Sequence, residues 1–226
     1  MRLLVDLALP ATCPGCGQWD TPLCASCAAR SGGPVGQWSP LEVEGRCAAA
    51  PLLTLGGYEG ELRGLVLAAK HSARWDPHSW LERAGATLAR GLVDQGLLAW
   101  TGPPGPDAPT RVWVVPAPSS WRRRLFGREV TVVLACAVAR ELAERAGVSA
   151  EVVEAAWLRP GARGQSGKTS AARRRGRRGA MLALVEVPTR VGLVLVDDVV
   201  TTGATARELA RVLGGRWCVF LALARA

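Results

Sequence analysis

The residues best suited to chemistry are two adjacent carboxylates that follow an apolar run: residues 194–205 read Val-Leu-Val-Asp-Asp-Val-Val-Thr-Thr-Gly-Ala-Thr. The apolar, valine-rich run 191–196 predicts a buried strand, which places Asp197 and Asp198 at its carboxyl end. Open α/β sheets bind ligands at this edge. Acidic residues end many strands, so the pair by itself also fits a structural turn or a metal-binding pair.

The hydroxyl-rich turn that follows the carboxylates favours a more specific hypothesis. Gly203 lets successive backbone N–H groups point inward, and a helix expected to begin near Thr205 brings the positive end of its dipole. Such a turn suits a phosphate group, and carboxylates suit sugar hydroxyls. The stretch therefore predicts a clamp for a ribose phosphate, with the phosphate held by Thr201, Thr202, Gly203, Ala204 and Thr205.

Two Cys-x-x-Cys pairs form a second group of reactive residues, and they consist of Cys13, Cys16, Cys24 and Cys27. Four thiolates at this spacing suit a tetrahedral zinc ion with no open coordination position, which predicts a structural Zn²⁺ site. Two disulfides or free thiols are the alternatives. Disulfides need an oxidising compartment, whereas the first residues do not resemble an export signal and the cytoplasm is expected. The remaining cysteines, Cys47, Cys136 and Cys218, are expected to be buried and inert.

The elements that must position these residues follow from composition and periodicity. A chain of 226 residues with 49% apolar side chains suits one α/β domain with a small appendage. We predict a zinc module and linker over residues 1–46 and a parallel-sheet domain over 47–226. Helices are expected near 59–71, 79–95 and 130–146, and strands near 111–115, 152–158, 191–197 and 217–223. No uncharged apolar run reaches the roughly 18 residues of a membrane span.

The charge of the chain indicates an anionic partner or a bias in base composition. The net charge is +9, and the basic residues are nearly all arginine. Arginine binds phosphate bidentately, which suits a phosphorylated ligand or nucleic acid. Arginines crowd two segments that are expected to be loops, 122–124 and 173–178.

In order and spacing, these motifs resemble the ComF family of bacterial competence-associated proteins, which are related to the type I phosphoribosyltransferases. The resemblance covers nearly the whole chain, and residues 194–205 resemble the phosphoribosyltransferase signature. It also includes Tyr58, Glu59, Gly60, Arg63, Lys70, His71, the turn 115–118, Arg159, Gln165, Gly167, Arg173, Gly179 and Ala180.

The resemblance implies a type I phosphoribosyltransferase-like fold that binds phosphoribosyl pyrophosphate together with Mg²⁺. In that family the paired carboxylates hold the ribose hydroxyls and the following loop holds the 5′-phosphate. The resemblance further implies transfer to a nitrogen acceptor such as a nucleobase or ammonia, and an association with single-stranded DNA and DNA-uptake proteins. The other implied substrate contacts are Pro116, Ala117, Pro118, Ser119, Arg124, Lys70 and Arg173.

The chain departs from the family pattern at two places that bear on catalysis. Residues 124–128 read Arg-Leu-Phe-Gly-Arg where the family has Arg-Gly-Phe-Asn-Gln, and Gly176 stands where an asparagine is usual. Two further hypotheses therefore stay open. One is a regulator that binds phosphoribosyl pyrophosphate without turnover, and the other is an accessory protein that binds single-stranded DNA through arginines 173–178.

Overall fold

A mostly parallel six-stranded sheet forms the centre of the molecule. The computed structural model describes residues 11–43, 49–98, 109–119, 129–159, 179–214 and 217–226. Within them the sheet has the order β1-β2-β8-β7-β3-β4, and only the β1–β2 pair in it is antiparallel. A separate antiparallel pair joins β5 to β6. The strands are β1 Gly36–Glu42, β2 Ala49–Thr54, β3 Arg111–Pro116, β4 Ser149–Val152, β5 Ala156–Leu158, β6 Met181–Ala183, β7 Val191–Val200 and β8 Cys218–Arg225.

Helices cover both faces of the sheet, so the central strand is apolar on both sides. Residues 191–196 of β7 are all buried and alternate between two cores. Val194 and Val196 belong to the core under α2, α3 and α4, whereas Leu193 and Leu195 belong to the core under α5 and the β5–β6 pair. The helices are α1 Ala25–Ala29, α2 Gly60–His71, α3 His78–Asp94, α4 Val130–Ala146 and α5 Ala204–Leu213.

The chain reverses its direction across the sheet between β3 and β7. From β3 it passes through α4 to β4 on one side, and from β7 it passes through α5 to β8 on the other side. Neighbouring connections that leave in opposite directions open a crevice at the carboxyl ends of their strands, which is where open α/β sheets bind ligands. The predicted α/β class is confirmed, and the crevice lies beside Asp197 and Asp198.

Two local expectations were wrong. The segment expected to be a linker contains strand β1, which pairs with β2 at the sheet edge and carries an irregularity between Trp38 and Leu41. The single strand expected over 152–158 is split, because β4 ends at Val152 in the main sheet and β5 begins at Ala156 in the small one. In the part of the chain that the structure describes, no helix is long and apolar enough to cross a membrane.

Candidate functional site

The paired carboxylates lie beside the end of β3 rather than at the end of their own strand. Pro116, the last residue of β3, is in register with Val196, and the Ala117 amide donates to the Val196 carbonyl at 2.7 Å. Strand β7 continues along β8 as far as Val200. The expectation that the carboxylates end their strand is therefore corrected: they lie inside β7, which ends at Val200, but border the crevice left where β3 ends.

The two carboxylates have different surroundings. Asp197 is in register with Ala222, which belongs to the core on the α5 face. The Asp198 carboxylate instead forms an ion pair with Lys70, whose Nζ lies 2.8 Å from Asp198 Oδ1, and both side chains are only 13% exposed. Lys70 lies in the last turn of α2, on the opposite face of the sheet. The sheet thus presents one carboxylate to each face, and the second is already neutralised by a nearly buried ammonium.

The turn after β3 forms the other wall of the crevice. Thr131 Oγ1 donates to the Ala117 carbonyl at 3.1 Å, and Ser119 Oγ donates to Glu129 at 3.3 Å. Both bonds fix the turn to the first residues of α4. The resulting cleft, about 300 Å³ when measured out to solvent, is lined by Lys70, Ala117, Pro118, Ser119, Val130, Thr131, Asp197 and Asp198.

The predicted phosphate cradle is a tight turn into α5. Gly203 precedes the helix with a φ of 71°, and a Cβ placed there would meet Leu41 of β1 at 3.0 Å. Glycine therefore satisfies both the backbone conformation and the close approach. The Arg207 guanidinium donates to the carbonyls of Thr202 and Glu42, which ties the turn to the edge strand. The helix begins at Ala204, so its first amides face the end of β7.

The four amino-terminal cysteines converge. Their sulfur atoms all lie within 4.8 Å of one another, and the Cys24 sulfur is 3.7 Å from that of Cys13 and 3.6 Å from that of Cys16. Disulfide sulfurs are about 2.05 Å apart, so none of the four is cross-linked here. Four sulfurs about 2.3 Å from one zinc ion at tetrahedral angles are about 3.8 Å apart. The cluster could therefore hold a structural zinc.

The pKa values of the thiols in the cluster are shifted in different directions. Burial acts to raise the pKa of Cys13, but backbone N–H donors from Cys16, Cys24 and Gly15 outweigh it and lower the pKa to about 6. Burial also raises the pKa of the Cys27 thiol, which is fully enclosed. Binding a metal therefore requires release of protons from some of the thiols, most of all Cys27.

The cluster is packed onto the helices that cover the sheet. Cys13, Cys24 and Cys27 belong to the same core as α2 and α3, and Trp80 Nε1 donates to the Cys27 carbonyl at 3.3 Å. A Cβ on Gly64 of α2 would lie 2.5 Å from the Pro14 carbonyl oxygen. The cysteine turn and α2 are therefore in direct backbone contact.

Several predicted residues cannot be placed at the site. Arg124, Arg173 and Cys47 lie outside the described residues, as do Gln165 and Gly167. Cys218 is buried as expected, but Cys136 is exposed on α4, which corrects that expectation.

Sequence reasoning missed Glu129, Thr131 and Arg207, which hold the two loops in place. No motif marks these three residues, because each acts through a contact specific to the folded chain. The one sequence feature that could have indicated Thr131 is its position at the start of the helix that follows the Pro-x-Pro turn.

Comparison with known proteins yields no assignment. The sequence matches no model of a protein family, and no curated protein matches it.

Proposed function

We propose that this protein binds phosphoribosyl pyrophosphate in the β3–β7 crevice and transfers its phosphoribosyl group to a nitrogen acceptor, as the resemblance to the ComF family implies. The observation that carries the proposal is the convergence of Asp197, Asp198 and Lys70 at a reversal of strand order, next to a glycine turn that opens a helix. A lone acidic pair would not support this proposal. This ligand has sugar hydroxyls, which carboxylates can bind, and two phosphate groups, which an ammonium and a helix N-terminus can bind.

In this proposal the carboxylates orient the ribose. Asp197 and Asp198 accept hydrogen bonds from the 2′- and 3′-hydroxyls, while the 5′-phosphate lies on the amides of residues 201–205. Lys70, paired with Asp198 before the ligand binds, exchanges part of that contact for the pyrophosphate. The exchange keeps a positive charge beside the departing group, where negative charge develops.

The turn after β3 is the proposed pyrophosphate site. The Ser119 hydroxyl and the Asp197 carboxylate line the same cleft and supply oxygen ligands of the kind that Mg²⁺ prefers. When bound, Mg²⁺ would neutralise charge on the pyrophosphate. The bond from the anomeric carbon to pyrophosphate oxygen breaks as the bond to the acceptor nitrogen forms. The electron pair leaves with pyrophosphate, and the acceptor's proton passes to solvent.

The cysteine cluster has a structural role in this proposal. The sulfur separations of 3.6 and 3.7 Å agree with one tetrahedral zinc ion. Four protein ligands leave no position for a substrate. We therefore assign zinc to support of α1 and α2 and not to the reaction.

The proposal is tested by calorimetric titration with phosphoribosyl pyrophosphate in the presence and absence of Mg²⁺. Magnesium-enhanced binding is expected for the parent protein. Asp197→Asn combined with Asp198→Asn should weaken binding at least about 100-fold, because about two charge-assisted hydrogen bonds are lost. Thermal unfolding of the variant confirms that it is folded.

Glu144→Gln is the matched control, because it removes an exposed carboxylate near the end of α4 that is far from the crevice. It should bind like the parent. Unchanged affinity in the double Asp variant would overturn the assignment. Release of pyrophosphate in the presence of an acceptor separates an enzyme from a regulator that only binds the ligand. The DNA-binding hypothesis depends on arginines outside the described residues and stays a prediction.

A further inference from the structure

A second cleft lies beside the crevice, between the end of α2, the start of α3 and the first turn of α4. It measures about 800 Å³ out to solvent, compared with about 300 Å³ for the crevice cleft. Among the residues that line it are buried Ala69, Leu81 and Val130, half-buried Trp75, and the acidic residues Asp76 and Glu129. We call it the tryptophan cleft. A concave space with an apolar base and a few polar groups is typical of a small-molecule site.

Trp75 forms a rigid wall of this cleft. Its ring packs against the fully buried ring of Trp80, with the centroids 6.1 Å apart and the planes tilted by 60°. Trp80 is fixed in turn, because its Nε1 donates to the Cys27 carbonyl at 3.3 Å. A half-buried indole that is supported from behind offers its remaining surface to a flat ring or to a cation.

The charge of the tryptophan cleft is opposite to that of the whole chain, which is +9. Asp76 and Glu129 come from different elements, the α2–α3 connection and the residue before α4, and no lysine or arginine is among the described residues that line the cleft. Asp76 is oriented, since its Oδ1 accepts from the His78 amide at 3.0 Å. The lining therefore disfavours a phosphate and favours a positively charged group.

The tryptophan cleft shares a wall with the crevice. Val130 lines both clefts, and Ala69 of the tryptophan cleft precedes Lys70 of the crevice in the chain. Glu129 lines the tryptophan cleft and accepts a hydrogen bond from the Ser119 hydroxyl, which belongs to the turn after β3. A cation in one cleft would thus lie close to an anion in the other. Their attraction raises the affinity of the protein for each by the same factor.

We infer that the tryptophan cleft binds an organic cation, which carries an ammonium or amidinium group on a flat apolar body, and that this cation strengthens ligand binding in the crevice. The flat body lies against Trp75 over the apolar base, and the positive group lies next to the Asp76 carboxylate. The cation site rests on the geometry of the cleft, whereas its coupling to the crevice rests on the proposed function.

Three flat probes of similar shape and different charge test the site: benzamidine is a cation, benzamide is neutral and benzoate is an anion. Each is titrated by calorimetry into the full chain in the absence of phosphoribosyl pyrophosphate. The variants are Trp75→Leu, Trp75→Phe and Asp76→Asn, whose amide oxygen can still accept from the His78 amide. Asp94→Asn is the matched control, because it removes an exposed carboxylate at the other end of α3.

Benzamidine should bind the parent with a dissociation constant of about 1 mM or tighter, and benzamide and benzoate should bind at least about fivefold more weakly. Asp76→Asn and Trp75→Leu should each weaken benzamidine binding at least about fivefold. Trp75→Phe should retain most of the binding, since it keeps an aromatic face, and Asp94→Asn should bind like the parent. Thermal unfolding shows that each variant is folded.

The coupling is measured by repeating the benzamidine titration with the parent saturated with phosphoribosyl pyrophosphate and Mg²⁺. Benzamidine binding should then tighten at least about threefold. Phosphoribosyl pyrophosphate that binds without any change in benzamidine affinity would overturn the coupling.

The cation site itself is overturned if benzamidine does not bind, if benzamide binds as tightly as benzamidine, or if Asp76→Asn binds benzamidine as the parent does. The last result would show that benzamidine binds to other carboxylates. A failed titration with phosphoribosyl pyrophosphate would instead count against the proposed function. It would leave the cation site standing, because that site is measured without this ligand.

Discussion

At the scale of single residues, the Lys70–Asp198 pair is the most strongly constrained feature of the crevice. Both side chains are 13% exposed and their charged atoms are 2.8 Å apart. Removing water from two charges is costly, and their attraction offsets that cost only while both are present. The pair therefore orients Asp198 before any ligand arrives, although it need not add net stability.

We expect Lys70→Met to destabilise the fold more than the double variant with Asp198→Asn does. The single change takes the Lys70 ammonium away from a nearly buried Asp198 carboxylate, at a cost of about 3 kcal/mol, whereas the double change removes both charges. Urea unfolding of the parent, both single variants and the double variant measures the coupling. If the losses of unfolding free energy in the two single variants simply add up to the loss in the double variant, the two charges do not depend on each other and the interpretation is wrong.

At the scale of secondary structure, prediction succeeded where pattern and packing agree. Helix α4 runs over residues 130–146 as expected, since its apolar spacing fits the face that it buries and Gly147 ends it with a φ of 60°. Strand β1 was missed because Pro40 lies at an irregularity of an edge strand, where proline is tolerated but resembles a linker residue.

The candidate site divides in the same way. The carboxylates and the glycine turn after β7 are contiguous in sequence and could be found there. Lys70 was identified only through the family resemblance, and Thr131 and Arg207 were not identified. Arg207 donates to the Glu42 carbonyl of β1, which lies 165 positions earlier in the chain, so the two meet only in the folded sheet. Contacts that depend on topology leave no local pattern.

Helix α5 is held by a buried carboxylate at Glu208, which gives a prediction at this scale. Burial acts to raise the pKa of Glu208, but the Arg211 guanidinium and the amides of Gly179 and Met181 outweigh it, so the pKa is lowered. A lowered folded pKa stabilises the protein above the unfolded pKa of about 4.3, and this contribution is lost as the pH falls through the folded value.

Glu208→Gln should therefore destabilise the protein by about 1–3 kcal/mol at pH 7, with a difference from the parent that shrinks below about pH 4. Chemical unfolding at pH 7, 5, 4 and 3 measures this trend. Glu186→Gln, at an exposed carboxylate, is the control and should show little change at any of these pH values. A Glu208→Gln difference that stays constant with pH would show that ionisation of Glu208 contributes nothing.

At the scale of the whole molecule, α2 connects the cysteine cluster to the crevice. Its Gly64 lies against the Pro14 carbonyl, its Leu65 side chain packs beneath Gly15, and its last turn carries Lys70. The sequence predicted a zinc module and linker over residues 1–46 as a unit separate from the sheet domain over 47–226. The shared core instead implies that disorder in the cysteine turn reaches α2 and displaces the lysine that faces Asp198.

Gly64→Ala tests this connection without removing a sulfur ligand. The new Cβ would lie 2.5 Å from the Pro14 carbonyl oxygen and 2.8 Å from that of Gly15, so the cysteine turn or α2 must shift. Overpacking of this kind costs about 1–3 kcal/mol. We expect a lower thermal midpoint, faster zinc loss to a chelator and a phosphoribosyl pyrophosphate affinity reduced several-fold.

Gly32→Ala is the matched control, because a Cβ there meets nothing within 4 Å. Cys16→Ser complements Gly64→Ala by removing an exposed sulfur ligand, and it should also lower the zinc content, measured per chain by atomic absorption. If Gly64→Ala and Cys16→Ser both lose zinc while their affinity for phosphoribosyl pyrophosphate is unchanged, the cluster and the crevice are independent. Joint loss of both would show that the metal supports the crevice by holding α2 and Lys70 in position.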